Sequence, residues 1–311
     1  MLPIEVAFAT PRKLPKARDL RGRVAVVDLA FASEASGGGF DKITRPFIDG
    51  LGPRLVAWVD HHDHAMHAHY ASDPRFVLAT KAMHGACPEM VTPALVARFG
   101  PIDTIVCHTD FDGLCTAAKW IRGGEEPYPG ADDDARAIDT RTGQPSAVGA
   151  RIDRALRARS RDVALCGVIM RHLVAGLADA SLWGPIDAAG GQLASREDCA
   201  RKIAAKYEVL ELLGGANKIG DRLAFVDASR WHAEYDKTLL LLLGQERAPI
   251  AMLIDADNLT LAARFDSGIN FLALLGLSGG MPTLVSVHKD RFGDAMKRLG
   301  VRPDDLMRLV G

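Results

Sequence analysis

The chain lacks any large imbalance of charge: 38 Lys and Arg offset 39 Asp and Glu, for a formal net charge of −1. That excludes the global basic field by which proteins gather on nucleic acid or anionic membrane. It also disfavours long duplex nucleic acid, whose binding draws on many Lys and Arg contacts. A CxxC pair is missing too. The five cysteines (Cys87, Cys107, Cys115, Cys166, Cys199) are odd in number and lie in apolar or helical surroundings, which suits reduced core thiols. Met1–Lys16 has no h-region of signal-peptide type. The longest unbroken apolar runs, Leu239–Leu243 among them, are far too short to span a bilayer. There is no HExxH helix, internal repeat or long low-complexity tract. These absences leave a soluble chain expected in the cytoplasm.

What is present is ordinary in bulk. The 311 residues are 48% hydrophobic and 25% charged, which suits a globular protein of about two domains. In the first half, apolar runs of strand length alternate with helical spacing. Val24–Val27, Leu55–Val59 and Thr104–Cys107 read as strands, with Cys87–Phe99 and Leu114–Ile121 as helices. The alternation predicts an α/β fold with a mainly parallel sheet flanked by helices. Residues 146–215 turn helical: Ser146–Arg159, Asp162–Leu177 and Ser195–Leu213, with Pro185 and Gly184, Gly190 and Gly191 breaking the second from the third. Gly214-Gly215 reads as a C-cap. The expected division is a domain over 1–215 and a smaller C-terminal α/β domain over 216–311. The latter holds a strand Leu223–Val226, a helix Thr238–Leu243, a hairpin turning at Asp255–Asn258, a helix Asn270–Leu275 and a strand Thr283–His288.

Polar residues end all three first-half strands. Asp28 follows the first, Asp60-His61-His62 the second, and His108-Thr109-Asp110-Phe111-Asp112-Gly113 the third. Ligands gather at carboxyl ends of strands in parallel sheets, so the three clusters can share one crevice. In an extended segment residues 108, 110 and 112 face one side, and Gly113 lets the chain turn into a helix. Carboxylate with imidazole suits borderline-hard divalent ions such as Mn²⁺. Each cluster also has a plainer reading: Asp112 as a helix N-cap, Asp60 with its histidine as a hydrogen-bonded couple, Asp28 as a strand-end cap. Their joint occurrence favours the metal. His64, His67 and His69 read as a solvated loop or helix face. Arg151, Arg154, Arg157, Arg159 and Arg161 fit a solvated helix face better than a phosphate site.

Asp60-His61-His62 and the HxDxDG run at 108–113 resemble motifs of the DHH phosphoesterase superfamily, in the form found in RecJ-like and nanoRNase-like members. Asp28, in Val-Val-Asp-Leu-Ala, is similar to that family's lone strand-end Asp. Arg264 and Gly279-Gly280 stand where its small substrate-binding domain, usually called DHHA1, carries an Arg and a glycine-rich loop. The usual GGGH run of that domain appears here as Gly279-Gly280-Met281-Pro282. The family's motif order runs HxDxD, Asp, DHH, whereas this chain has Asp28, then Asp60–His62, then His108–Asp112. That looks like a circular permutation, and it predicts that the strand ending at Cys107 lies beside the strand ending at Val27.

The resemblance implies two divalent ions, Mn²⁺ by preference, about 3.5–4 Å apart. It implies Asp28 as bridge, His108 and Asp110 on one ion, and Asp112 with His61 on the other. His62 would face the phosphoryl group or protonate the leaving oxygen, with Asp60 orienting the histidines. A further carboxylate is Asp139, with Asp179 the alternative. Arg264, Gly279 and Gly280 would bind substrate. The function implied is a metal-dependent phosphoesterase acting on a short oligonucleotide, cyclic dinucleotide or nucleotide bisphosphate. A pyrophosphatase and a catalytically inactive binding or scaffold protein are the alternatives. No membrane partner is expected, and a homodimer is left open.

Overall fold

The structure, a computed structural model, describes residues 2–160, 162–213 and 221–310; Arg161 and Gly214-Gly215 lie outside the described residues. The chain forms two compact units, Met1–Leu193 and Ala194–Gly311.

The first unit is built on five strands: β1 (Glu5–Ala9), β2 (Val24–Val27), β3 (Leu55–Asp60), β4 (Phe76–Leu78) and β5 (Thr104–His108). Their spatial order is β1-β5-β2-β3-β4, and every pairing is parallel. The strand ending at Cys107 thus lies beside the one ending at Val27, with Val27 opposite Cys107. Side chains alternate between two cores. Ala25, Val27, Ala57, Val59, Ile105 and Cys107 face one. Val24, Val26, Trp58 and Val106 face the other with Phe31, Phe40 and Phe47. Coverage on both faces explains why these strands read as unbroken apolar runs and not as alternating ones. The edge strands β1 and β4 escaped sequence reading. Each is short, partly exposed and flanked by proline (Pro3 and Pro11 for β1, Pro74 for β4).

Seven helices of this unit matter below: α1 (Thr44–Leu51), α2 (Pro93–Phe99), α3 (Phe111–Ile121), α4 (Ala131–Thr140), α5 (Ala147–Ala158), α6 (Val163–Val174) and α7 (Trp183–Gly191). The helix expected over 87–99 is broken. Residues Cys87–Met90 make a 3₁₀ turn, and Thr92 restarts the chain as the N-cap of α2, its hydroxyl accepting from Leu95 N at 3.2 Å. Pro93 takes the first helical position, where no N–H is needed. Ser146 and Asp162 cap α5 and α6 in the same way. The segment with Pro185, Gly184, Gly190 and Gly191 is not a break but α7 itself, with Pro185 in its first turn. Arg151 lies over the Trp183 ring at 3.8 Å and pairs with Asp187, so the basic run is partly a seam between α5 and α7.

The second unit carries α8 (Leu193–Ala204), β6 (Glu208–Glu211), β7 (Arg222–Asp227), α9 (Lys237–Gln245), β8 (Ile250–Asp255), β9 (Asn258–Ala263), α10 (Phe271–Leu275) and β10 (Leu284–His288). Its sheet runs β10-β9-β8-β7-β6, antiparallel except for β7 with β8. The hairpin turns at Ala256-Asp257, with Ala256 at φ 50°. The helix expected over 195–213 stops at Ala204, because Glu208–Glu211 pairs instead with β7. Ala200, Ile203 and Ala204 of α8 pack into the core under this sheet, which places the division of the units about one helix earlier than residue 215. Among the described residues no helix is long and apolar enough to cross a membrane. Cys87, Cys107, Cys115 and Cys166 are free and buried, and Cys199 is partly so.

Candidate metal centre

Register brings the polar residues level. Val27 lies opposite both Val59 and Cys107, so one step further along come Asp28, Asp60 and His108. Asp28 leaves the sheet at φ 49°, a conformation unusual outside glycine but tolerated by Asp, with its N–H held by Val59 O at 2.9 Å. The HxDxDG run is not extended as expected. His108 ends β5, Asp110 is the N-cap of α3, and Asp112 sits in the first turn of that helix. Asp110, not Asp112, does the capping, accepting from Gly113 N at 3.0 Å. Gly113 is required for closeness and not for a turn. A Cβ there would stand 2.7 Å from His108 O and 2.8 Å from His108 Cβ.

Three groups of donor atoms form, each within 4.8 Å: Asp28, His61 and His62; Asp28, His108 and Asp110; and His61, Asp112 and Asp139. Asp28 and His61 are each shared by two groups. Among the sequence candidates, then, Asp28, His61, His62, His108, Asp110, Asp112 and Asp139 converge. Asp60 supports them: its Oδ1 accepts from His62 Nδ1 at 2.8 Å. Asp60 therefore orients His62, and no hydrogen bond links it to His61. Asp179 does not join. It is exposed, caps the 3₁₀ turn at Ala180–Leu182 and binds Ser181. Arg264 is exposed on the second unit, its guanidinium on Asp266 at 2.9 and 3.0 Å. Gly279 and Gly280 also belong to that unit, and Gly280 has φ 130°, open only to glycine. His64 is not solvated. It is buried edge-on to Phe31 at 5.5 Å and belongs to an aromatic cluster with Phe40. His67 packs against the same Phe31 ring at 5.3 Å, and His69 is exposed.

Sequence reading missed Lys81. It follows the three-residue edge strand β4 and is only 2% exposed. Its ammonium meets Asp139 Oδ2 and lies 2.8 Å from His61 Nε2. The only signal in the sequence was a lysine just past a short apolar stretch, a position where lysine is ordinarily solvated.

The electrostatics follow from crowding. Burial, then Asp112 and Asp110, push the Asp28 carboxyl well above its usual range. Burial likewise raises Asp112. Burial alone would lower His108, but Asp110, whose Oδ2 is 2.7 Å from Nδ1, lifts it to about 9. Burial also works against charge on Lys81, yet Asp139, Asp112 and Asp28 hold it firmly protonated. At His61, burial and Lys81 oppose a charged ring while Asp112 pulls harder the other way, toward about 11, a direction that the placement of the Lys81 ammonium opposes. The 2.8 Å approach of the ammonium needs the Nε2 lone pair, so we assign His61 as neutral, with Nδ1–H donated to His84 O at 2.9 Å. Concentrated negative charge of this kind draws cations.

The residues fit a divalent ion on one direct observation. Both oxygens of Asp28 are buried and accept no hydrogen bond; His61 Nε2 lies 3.2 Å from Oδ1, but with the ring neutral and its proton on Nδ1 it has none to donate there. A buried carboxylate without partners is costly unless a cation meets it. His108 and Asp110 flank it, and the donors are oxygen and imidazole nitrogen. The nearby Cys87 and Cys107 thiols are pushed up by burial and stay protonated. That set favours Mn²⁺ or a similar ion over a soft metal.

No family model and no curated protein matches the chain. A solved structure of exonuclease RecJ bound to manganese is similar over 89% of this chain and 74% of that one, at 13% identity and a TM-score of 0.43. That degree of likeness assigns no family. What the chain shows in its own right is an α/β protein with aspartates and histidines grouped at metal-ligand spacing at the carboxyl edge of a parallel sheet.

Proposed function

We propose that the protein is a divalent-metal-dependent phosphoesterase acting on small phosphorylated substrates. The observation that carries this reading is the buried Asp28 carboxylate, which accepts no hydrogen bond, at the meeting point of three strand ends with His108 and Asp110 beside it. Asp28, His108 and Asp110 would hold an ion on one side, and His61, Asp112 and Asp139 supply donors on the other. A divalent ion bound there supplies a polarised phosphoryl oxygen and a water of lowered pKa.

The chain's own residues do the rest. Asp112 is fixed by Cys87 N at 3.0 Å, and Asp110 by Gly113 N, so both carboxylates are pre-aimed. His84 O fixes the His61 tautomer and turns the Nε2 lone pair inward, towards Lys81. Asp60 accepts a hydrogen bond from His62 Nδ1–H and leaves Nε2 for the reaction. Burial holds His62 towards its neutral form. That suits it to accept a proton from the attacking water, and not to arrive as the leaving-group acid suggested by resemblance. In the second unit Arg264 is the proposed clamp for a further phosphate, with Gly279-Gly280 allowing close backbone approach.

The balanced charge favours a short oligonucleotide, a cyclic dinucleotide or a nucleotide bisphosphate over long duplex. The test is a panel of these phosphoesters, with pyrophosphate, assayed with Mn²⁺ and after chelation. Hydrolysis should require the ion, and Asp28→Asn should lower the rate by roughly 100-fold or more and weaken Mn²⁺ binding. If nothing on the panel is cleaved and Asp28→Asn binds Mn²⁺ as the parent does, the reading fails.

A further inference from the structure

We infer that Lys81 is a built-in cation filling the second half of the centre, so that the folded protein takes a single divalent ion, at Asp28, His108 and Asp110. This rests on the reading that the centre binds metal, and it changes how many ions that centre holds. The third donor group consists of His61, Asp112 and Asp139. The Lys81 ammonium already engages two of those residues, His61 through Nε2 at 2.8 Å and Asp139 through Oδ2. An imidazole lone pair and a carboxylate oxygen directed at one point are what an ion would require, and a lysine nitrogen occupies that point.

The side chain is held there by its own loop. Lys81 N donates to Asp63 Oδ2 at 3.2 Å, and the following turn closes with Met83 N and His84 N on Thr80 O. His84 O at the end of that turn accepts from His61 Nδ1. The segment 80–84 therefore grips His61 through both ring nitrogens, one by its backbone and one by the lysine. A second divalent ion would have to expel an ammonium that is 2% exposed, at the cost of stranding a buried charge.

Lysine is a compact point charge with three donors and no exchangeable water. In this position it offsets charge on Asp139 and Asp112, and can meet a phosphoryl oxygen, but it cannot activate a nucleophile. Water activation then belongs to the Asp28–His108–Asp110 side, which Asp28 shares with His62.

The experiment is metal analysis of the full chain loaded with Mn²⁺ and desalted, with electron paramagnetic resonance of the same samples. The parent should carry about one Mn²⁺ per chain and give an isolated-ion spectrum, whereas two-metal sites hold their ions close enough to couple. Lys81→Met, which keeps the stem and removes the charge, should take up a second ion and give the spectrum of an exchange-coupled pair. Lys81→Arg, which keeps the charge, should stay at one. A coupled pair in the parent would overturn this inference and leave the metal reading intact. No bound Mn²⁺ in the parent would remove both. If Lys81→Met does not fold, the parent spectrum and Lys81→Arg decide, and a second ion in either counts against the inference.

Discussion

Asp60 and His62 illustrate how the centre is tuned one side chain at a time. Burial alone would raise the Asp60 carboxyl, but His62, hydrogen-bonded beside it and charged once acid has protonated it, brings it down to about 2. The folded value lies below the unfolded one of about 3.8, so the pair contributes stability that is present above that pH and is lost as pH falls through 2. The shift corresponds to about 2 kcal/mol. Urea midpoints measured between pH 5 and pH 2.5 should therefore fall more steeply for the parent than for Asp60→Asn. Equal slopes would mean that the pair adds nothing to stability. At this scale most of the centre was legible. Asp28, Asp60–His62 and His108–Asp112 stand out because each interrupts an apolar strand at its end. Lys81 did not, since β4 has only three residues and a single lysine after it carries no pattern. His64 reads as solvated in the sequence because only the folded chain brings Phe31 and Phe40 against it.

Among the elements, the turn from β5 into α3 determines the geometry. In a helix an alanine ordinarily stabilises relative to glycine by up to about 1 kcal/mol. At Gly113 the sign reverses, because the added carbon would sit 2.7 Å from a backbone oxygen of His108 that has no rotamer to escape by. Gly113→Ala should destabilise by about 1–3 kcal/mol and move His108 away from Asp110, weakening Mn²⁺ binding. Thermal unfolding together with a Mn²⁺ titration checks both. A lowered melting temperature with unchanged affinity would show that the turn supports the fold without aiming the ligands. Strands β2, β3 and β5, the hairpin and the starts of α5 and α6 were legible because apolar period is local. The breaks at Val91–Pro93 and after Ala204 were missed for a different reason. Helical spacing continued through both, and pairing with a distant strand or a proline in the next turn prevailed over it.

For the whole molecule, the residues of the candidate metal centre belong to Met1–Leu193, and Arg264 and Gly279-Gly280 to Ala194–Gly311. All converging ligands and Lys81 lie in the first unit. A fragment of residues 1–193 should therefore fold and bind Mn²⁺ with the affinity of the full chain. Its melting temperature should rise with Mn²⁺, as expected for a ligand that binds only the folded state; 100-fold excess over Kd is worth about 2.7 kcal/mol. Calorimetry on fragment and parent measures this, and a fragment that folds but ignores Mn²⁺ would move part of the centre elsewhere. The position of β2 has one more consequence. It is the middle strand, paired with β5 on one side and β3 on the other, and Val24–Val27 have no exposure at all. Its amides should exchange with deuterium only when the sheet itself dissolves. Asp28 hangs from the end of that slowest-exchanging segment. The centre would then have no route of partial opening, and its lifetime on heating would be that of the first unit.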